Sequence, residues 1–528
     1  MYYFIPAWYG SERIWHSRVT PWYWTQATIE FDETIHQLRV FQEAGVERKL
    51  VIPHYCPQLR YDLHRQDLLE TDYLSIFDHI QGISPYQEMV PIQVEDLEWP
   101  AHTSFTYTPF QIVAFCRGQE IASIDLGVDG NILSVRRVKD KETVYVQYLD
   151  DRGFISSVIY YKEGSPYFQD YLTPEGDWVL RELLTDASYM VFVNEAFQKQ
   201  FKRETYPDMG EVVAEKMKAN LGDLVPGQDR LVIAAHPANL PFVQQVGLGV
   251  SKVLSFYGQR QPLSQEDSSL HFSLKEVDLV ITDSEKTKQT LLALASSLAS
   301  KIHRLTSFDS RLRLGSSQER KESKIFFHLD EKDLPSQSVL QKMFEILVKN
   351  PLFEVVFAIY NASDEAVAAL DHQLEDLASK MGIASLGVQV DSRELGENHL
   401  LEDASLFEKK LDRYKVRNFF NENDIIKELE QTRLIVDVSE EPDLYTQIAG
   451  ISAGIPQINR THTEYVDHLK NGYVLGEMEE ELEKAIDYFL RDLKPWNEAL
   501  IYSVEKIQEY TGQRLIAKWE GWMKERHG

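Results

Sequence analysis

The chain is poor in several features that mark whole classes of protein. Only two of its 528 residues are cysteine, Cys56 and Cys116, too few for a disulfide framework or a thiolate metal site. No segment approaches the roughly 18 to 20 uninterrupted apolar residues of a membrane helix. The first residues also lack a basic-then-apolar leader. We therefore expect a cytoplasmic protein, and we predict neither a metal nor an organic cofactor.

Basic residues are also few relative to acidic residues. The 55 basic residues are outnumbered by 83 acidic residues, which gives a formal net charge of -28. Repulsion of this size disfavours nucleic acid and anionic surfaces as global partners, although local basic patches still act at short range. What is present is the composition of a folded protein, 43% hydrophobic and 11% aromatic. The length predicts about three domains.

The first part of the chain alternates strands and helices. Tyr2 to Ala7 predicts a strand, Thr34 to Ala44 has apolar residues at helical spacing, and Lys49 to Pro53 predicts a second strand. This is a Rossmann-like opening, but Gly10 stands alone, so the glycine-rich phosphate loop is missing. The further strands expected as the pattern resumes after Trp178 are 189–193, 231–235 and 279–281.

Between about Pro85 and Arg181 the pattern changes to an alternation of polar and apolar residues. Turn pairs such as Asp129-Gly130 separate the short segments. The expected strands lie in 111–118, 121–130, 132–140, 143–153, 155–164 and 166–172. We predict an antiparallel sheet inserted into the first Rossmann domain. Such a sheet either presents one face to a partner or only covers its neighbour.

One segment in the second half has the clearest order of strands and helices. Val436 to Val438 predicts a strand, Leu444 to Ala453 a helix that stops at Gly454, and Ile455 to Ile458 the next strand. A later helix should end at Asn471. In α/β sheets, loops at the carboxyl ends of such strands are where a nucleotide diphosphate binds.

This segment resembles the donor-binding segment of retaining glycosyltransferases of the two-Rossmann-domain type, the GT-B fold. In that family two Glu residues stand with seven residues between them. Aligned on Gly454, Glu441 falls on the first Glu, Ala449 falls on the second, and Leu444 stands where the family keeps a small Gly. An alanine methyl cannot accept the hydrogen bonds of the nucleotide ribose. Asp443 places an anion where a diphosphate needs donors.

The resemblance also implies an Arg and a Lys near the first strand of the second Rossmann domain, where they neutralise the donor diphosphate. His328 stands near the expected Arg, and Lys332 near the expected Lys. A mostly neutral imidazole at pH 7 is a weaker substitute for a guanidinium. Glu441 is alternatively an ordinary acid at a helix N-terminus. His236, at a strand end, is either an acceptor-cleft residue or a structural histidine.

The last residues predict an amphipathic helix. Leu515, Trp519 and Trp522 follow a spacing of i, i+4, i+7, and Arg514 and Lys518 lie among them. Such a helix suits contact with an anionic membrane lipid surface or with a partner. The alternative is a packing stripe against the first domain, since apolar helical stripes are usually core.

We predict an α/β protein of the GT-B-like class, a pair of Rossmann-type domains with an inserted antiparallel β-sheet domain. The predicted segments are 1–84 and 186–306 for the two parts of the first Rossmann-like domain, 85–185 for the inserted sheet, 307–324 for a linker, 325–490 for the second Rossmann-like domain and 491–528 for C-terminal helices that pack back on the first domain.

Three stretches carry a resemblance that covers the whole chain: the opening MYYFIPAWYG, the end of the sheet YFQDYLTPEGDW, and SEEPDLYTQIAGISAGIP. They resemble the first of the accessory secretory proteins of the bacterial accessory Sec system. The resemblance implies a non-catalytic GT-B relative that acts with two companion accessory secretory proteins and the accessory SecA motor. Its implied role is to help export serine-rich repeat glycoprotein adhesins. The implied location is the cytoplasm, with a peripheral position at the inner face of the cell membrane.

The rival hypothesis is an active retaining GT-B glycosyltransferase that modifies the adhesin before export. It would use Glu441, Lys332 and His236 around an unusual donor site.

Overall fold

In the computed structural model, the chain folds as two compact units. Unit 1 comprises Met1–Ser307 and Ile516–Gly528, and unit 2 comprises Phe308–Leu515. The structure describes residues 1–10, 13–17, 21, 32–84, 88–127, 129–185, 189–258, 260–305, 316–319, 321–331, 333–381, 387–388, 411–476, 478–508 and 512–524.

Unit 1 contains two sheets. Its described strands are β1 (Tyr2–Ile5), β2 (Arg48–Ile52), β3 (Tyr73–Ser75), β4 (Thr103–Tyr107), β5 (Gln111–Cys116), β6 (Gln119–Leu126), β7 (Ile132–Lys139), β8 (Glu142–Asp150), β9 (Phe154–Lys162), β10 (Ser165–Leu172), β11 (Trp178–Leu183), β12 (Val191–Val193), β13 (Thr205–Tyr206), β14 (Arg230–Ala234), β15 (Ser251–Phe256), β16 (Leu279–Thr282) and β17 (Ile302–Arg304). The first sheet is parallel, in the order β17-β16-β15-β14-β1-β2-β3. The second is an antiparallel meander from β4 to β13.

The helices of unit 1 connect the parallel strands, as parallel pairing requires. They are α1 (Glu33–Glu43), α2 (Leu59–Arg65), α3 (Ile76–Gln81), α4 (Met209–Asn220), α5 (Leu240–Gln245), α6 (Ser268–Glu276) and α7 (Glu285–Leu294). Asp32 begins α1 by accepting a hydrogen bond of 2.9 Å from the Thr34 amide. Glycine in the left-handed region, Gly82 with φ 67°, ends α3.

The two sheets of unit 1 share one apolar core. Tyr171 of β10 is fully buried, and its ring lies 5.5 Å from the Tyr55 ring and 5.4 Å from the Phe77 ring of α3. Strands β4 to β8 have a separate core, in which Ile124, Val135 and their neighbours pack under the segment that follows residue 88. One end of the meander therefore packs in the core of the Rossmann-like part, and the other end, β4 to β8, packs around its own apolar cluster.

Unit 2 is built on a six-stranded parallel sheet of order β22-β19-β18-β23-β24-β25. Its described strands are β18 (Ser323–His328), β19 (Phe353–Tyr360), β20 (Gly387–Val388), β21 (Leu411–Asp412), β22 (Tyr414–Phe419), β23 (Thr432–Asp437), β24 (Gln457–Asn459) and β25 (Gly472–Val474). The helices from here to the end of the chain are α8 (Gln337–Lys349), α9 (Asp364–Lys380), α10 (Glu422–Leu429), α11 (Leu444–Ala453), α12 (Met478–Leu490), α13 (Leu493–Ile507) and α14 (Gly512–Lys524).

Two local predictions are wrong. Residues 460–471, all described, form turns and bends rather than the helix expected before Asn471. The strand expected at 189–193 does not restart the parallel pattern, because β12 pairs antiparallel with β11 and β13. The antiparallel sheet thus continues past residue 185, to Tyr206, and the parallel sheet resumes with β14.

Candidate functional site

The candidate site of unit 2 lies at the carboxyl ends of β18 and β23, which are adjacent parallel strands. His328 and Asp437 are the last residues of these strands and are partners in the register. The His328 Nδ1 donates to Asp437 Oδ2 at 2.9 Å, and both side chains are buried. Asp437 also accepts from the Asp443 amide at 2.8 Å and from the Ser439 amide at 3.1 Å. Sequence reasoning missed Asp437, the centre of this network.

The electrostatics of the pair contradict the expectation of a neutral imidazole. Burial alone would lower the pKa of His328, but the Asp437 carboxylate outweighs it, and the pKa rises to about 9. Burial would likewise raise the pKa of Asp437, but His328 and the donors from Ser439 and Asp443 lower it. At pH 7 His328 is therefore a cation, and its charge is engaged by a buried carboxylate inside the protein.

The N-terminus of α11 is closed by an acid of the chain itself. Asp443 is the N-cap, and its Oδ1 accepts from the Thr446 amide at 2.7 Å. Burial raises the pKa of this carboxyl, although His328 and the capping bond act against the rise. One of the amides that would bind a phosphate at a helix start, that of Thr446, thus already has the Asp443 carboxyl group as its partner.

Glu441 does not act as the acid at the N-terminus of α11, and its donor-site role stays a prediction. It is exposed and lies before the N-cap, so the helix-terminal acid is Asp443. Leu444 is the first residue of α11 and is partly buried. Ala449 is 2% exposed within α11, where its methyl group belongs to the packed interior. Lys332 lies outside the described residues.

Further polar contacts, which the sequence did not single out, fix the position of α11. The Tyr360 hydroxyl lies 2.5 Å from Thr446 Oγ1, and the Tyr360 ring packs 4.6 Å from the His328 ring. Gln447 Oε1 accepts from Asn459 Nδ2 at 3.3 Å and from Thr463 Oγ1 at 2.5 Å. These side chains hydrogen-bond to one another and connect α11 to β19 and to the segment that begins with β24.

His236 lies in unit 1, two residues after the end of β14. Its Nδ1 accepts from the Ala238 amide at 3.1 Å, and its ring lies 4.8 Å from the Tyr9 ring. Burial and the nearby Arg260 cation lower its pKa to about 4. His236 is therefore neutral at pH 7, and its Nδ1 is bound into a turn.

Unit 1 also contains an open cavity of about 650 Å³ that sequence reasoning did not find. Arg13, Trp15, His16 and Glu182 are among its lining residues. The polar side chains in one part of its wall are bonded to partners, because Arg13 pairs with Glu182 and the His16 Nε2 lies 2.7 Å from the Tyr171 hydroxyl. Burial and the Arg13 cation lower the pKa of His16 to about 4.

The C-terminal helix presents its apolar stripe to unit 1. The Trp519 side chain is 2% exposed, with its ring 5.4 Å from the Phe41 ring, and the Trp522 ring stacks 4.1 Å from His303. Arg514 and Lys518 are exposed. The packing alternative therefore describes the two tryptophans, and the expectation of a membrane-facing indole at Trp519 does not fit this fold. Within the described ranges, no helix combines the length and the apolar character needed to cross a bilayer.

Two parallel α/β sheets with an antiparallel insert define the chain as a GT-B-like protein. The solved structure of the pneumococcal O-GlcNAc transferase GtfA in complex with UDP and GlcNAc has this fold. It is 11% identical to the chain, covers 99% of this chain and 98% of its own, and gives a TM-score of 0.71.

The chain belongs to the accessory Sec system family of accessory secretory protein 1, whose sequence profile matches residues 1–526. A member from Streptococcus gordonii is 41% identical over 528 residues, which is 99% of both chains. The chain is also similar to a chain in the crystal structure of accessory secretory proteins 1, 2 and 3 of Streptococcus pneumoniae. The identity is 37% and the TM-score 0.83, with 99% of each chain covered.

Proposed function

We propose that this chain is a non-enzymatic scaffold of the accessory Sec export system. In this proposal it forms a complex with two companion accessory secretory proteins at the cytoplasmic face of the membrane. The complex delivers serine-rich repeat glycoprotein adhesins to the accessory SecA motor. The related pneumococcal crystal structure, which holds accessory secretory proteins 1, 2 and 3 together, supports the partners. The family membership supports the export system.

The observation that carries the non-enzymatic part is the Asp437–His328 pair beside the Asp443 cap. A nucleotide diphosphate brings nearly two negative charges, which need cations and unoccupied amide donors. Here the imidazolium is bound to Asp437 at 2.9 Å. The Asp443 carboxylate occupies the Thr446 amide. A nucleotide-sugar donor would have to displace Asp437 from His328, and Asp443 would repel its phosphates. The site therefore favours neither binding nor turnover.

Ala449 gives independent support. A retaining GT-B donor site uses a carboxylate at this position to accept the ribose hydroxyls. The buried methyl group offers no acceptor, and the packed surroundings leave it 2% exposed.

Calorimetry tests the loss of donor binding. Titration of the full chain with UDP and with UDP-GlcNAc at pH 7 should give no saturable heat up to about 1 mM ligand, the range of the weakest specific sites. Glu441→Ala should leave this result unchanged. Micromolar binding, with sugar transfer that Glu441→Ala abolishes, would establish the rival transferase instead.

Co-purification tests the scaffold. The full chain should form a stable complex with accessory secretory proteins 2 and 3 of its own organism, and Glu441→Ala should not weaken that complex. A chain that stays monomeric in the presence of both companions would contradict the scaffold.

A further inference from the structure

The two edges of the antiparallel sheet in unit 1 are built differently. The β13 edge is two residues long and is followed by Pro207. The Tyr206 hydroxyl donates to Glu215 of α4 at 2.7 Å, so the helix lies over this edge. Short strands, proline and a covering helix are the usual means by which proteins block edge pairing.

The β4 edge has none of these protections. Thr103–Tyr107 is a five-residue strand with neither charge nor proline. It pairs with β5 without a register shift, so no bulge twists it away. In the described part of the chain, no further strand pairs with its outer side.

The hairpin fixes which backbone groups point outward. The Thr108 amide donates to the Gln111 carbonyl at 3.0 Å, which makes these two residues a hydrogen-bonded pair. Hydrogen-bonded and non-hydrogen-bonded pairs alternate along antiparallel strands. Thr106 and Ser104 therefore bond to β5.

The amide and carbonyl groups of Phe105 and Tyr107 point to the outer side of β4. Neither residue has a backbone partner there among the described residues. Four hydrogen-bonding groups are thus arranged at strand spacing on an exposed edge, which is the template for strand addition.

The side chains of the edge suit an extended polypeptide. Tyr107 is 66% exposed, while Phe105 is held against the Trp99 ring at 5.1 Å. The Trp99 ring is itself covered by the Arg137 guanidinium at 4.1 Å. This gives a firm aromatic face on one side of the edge. Ser104 and Thr106 are exposed on the other side, where they match small hydroxyl side chains.

We propose that the β4 edge receives an extended segment of a companion accessory secretory protein by β-strand addition. The segment alternates aromatic or β-branched residues, opposite Phe105 and Tyr107, with small hydroxylated residues opposite Ser104 and Thr106. The proposal rests on the proposed function for the existence of the companions. A second copy of the chain is disfavoured as occupant, because pairing two copies brings together two bodies with a charge of -28 each.

Hydrogen exchange on the unmodified full chain tests the proposal directly. The Phe105 and Tyr107 amides should exchange rapidly in the separate protein. They should slow by about tenfold or more when accessory secretory proteins 2 and 3 are added, because a buried ladder bond forms at each of them. The Thr205 amide, which points to the outer side of β13, provides the reference edge and should not change. A complex that forms without protecting Phe105 and Tyr107 overturns the strand addition while leaving the scaffold proposal intact.

A pair of substitutions at one position separates backbone pairing from side-chain contact. Tyr107→Pro removes an outward amide and leaves the inner ladder in place, as edge prolines do. Tyr107→Thr removes the ring but keeps the amide and a strand-forming residue. The proline variant should bind the companions about tenfold more weakly, which is about 1.4 kcal/mol, whereas the threonine variant should stay within about threefold of the original.

The remaining outcomes each contradict the proposal. Equal weakening by both variants would assign binding to the ring rather than to the backbone. Unchanged binding by a folded Tyr107→Pro protein, checked by its melting temperature, would rule the edge out. Self-association that is lost on Tyr107→Pro, measured by sedimentation, would make the occupant a second copy. Failure of the unmodified chain to bind either companion would overturn this inference together with the scaffold.

Discussion

The carboxyl edges of the two parallel sheets hold histidines that differ in charge. In unit 1, burial and Arg260 lower the pKa of His236 to about 4, and burial lowers the pKa of His54, after β2, to about 3. In unit 2, burial acts on His328 in the same direction, but Asp437 overcomes it and raises the pKa to about 9. The same type of residue at the same place on an α/β sheet is neutral in one unit and cationic in the other.

The difference shows what decides the charge of a buried imidazole. His328 has a carboxylate as its register partner on the next strand, and the pair is satisfied by further donors. The charged neighbour of His236 is a cation, Arg260, which is itself held by Asp32 and Glu33. The fold therefore places a histidine at the carboxyl edge of each sheet, and the charge of the neighbouring side chain determines whether that histidine is protonated.

The largest effect is expected when the pair of unit 2 is broken. Asp437→Asn leaves a buried imidazole without its carboxylate, so the free energy of unfolding of unit 2 should fall by about 4 kcal/mol. The pKa of His328 should also fall, because burial then acts without the opposing Asp437 carboxylate. Hydrogen exchange of the β18 and β23 amides at pH 7 measures the first effect. Unchanged exchange in these strands would show that the pair does not stabilise unit 2.

The charge of His328 should also appear as a pH dependence. Because its pKa in the folded protein lies above the unfolded value of about 6.5, its contribution is fully present below pH 6.5 and is lost as the pH rises through about 9. The stability difference between the original protein and His328→Gln should therefore shrink by about 3 kcal/mol between pH 6 and pH 9.5. A difference that is constant over this range would mean that folding does not shift the pKa of His328.

A smaller effect is expected from the cation of unit 1. Arg260→Gln leaves Glu33 without its guanidinium, although Arg260 is partly solvated, so unit 1 should lose about 2 kcal/mol. His236 should become easier to protonate, and its pKa should rise from about 4 towards its ordinary value. Nitrogen-detected NMR titration of the imidazole measures this shift. An unmoved titration would remove Arg260 from the explanation of the contrast.

The smallest effects compare the two acids before α11. Asp443→Ala should cost about 1 kcal/mol, because the Thr446 amide loses its cap. Glu441→Ala should change stability by less than about 0.5 kcal/mol, as an exposed substitution outside the helix. Chemical denaturation of both variants under one set of conditions gives the comparison. The reverse ranking would identify Glu441 as the helix-terminal acid after all.

The parts of the fold carried by local pattern were predictable from sequence. The helix expected at Leu444 to Ala453 is confirmed, with Gly454 in the left-handed region at φ 69°. The antiparallel strands were likewise marked by alternation and turn pairs. The assignment of β12 failed because three apolar residues do not reveal which sheet they join.

The candidate site was less predictable for a physical reason. The charge of His328 depends on Asp437, which is 109 residues away in sequence and becomes its neighbour only through the parallel register. The N-cap role of Asp443, in contrast, was predictable from the local sequence, because Asp is one of the preferred N-cap residues and stands directly before an apolar helix start. The alignment on the transferase segment drew attention to Glu441 instead.

The docking of Trp519 against Phe41 has a consequence for synthesis. A ribosome delivers the β1 and α1 segments long before the residues of α14, yet the side chain that covers Phe41 belongs to this later helix. Unit 1 therefore cannot complete its packing until the whole of Phe308–Leu515 has been translated. Until α14 is synthesised, Phe41 is not covered by the Trp519 indole. A chain that terminates early therefore keeps an exposed apolar surface at Phe41, which distinguishes it from the complete protein.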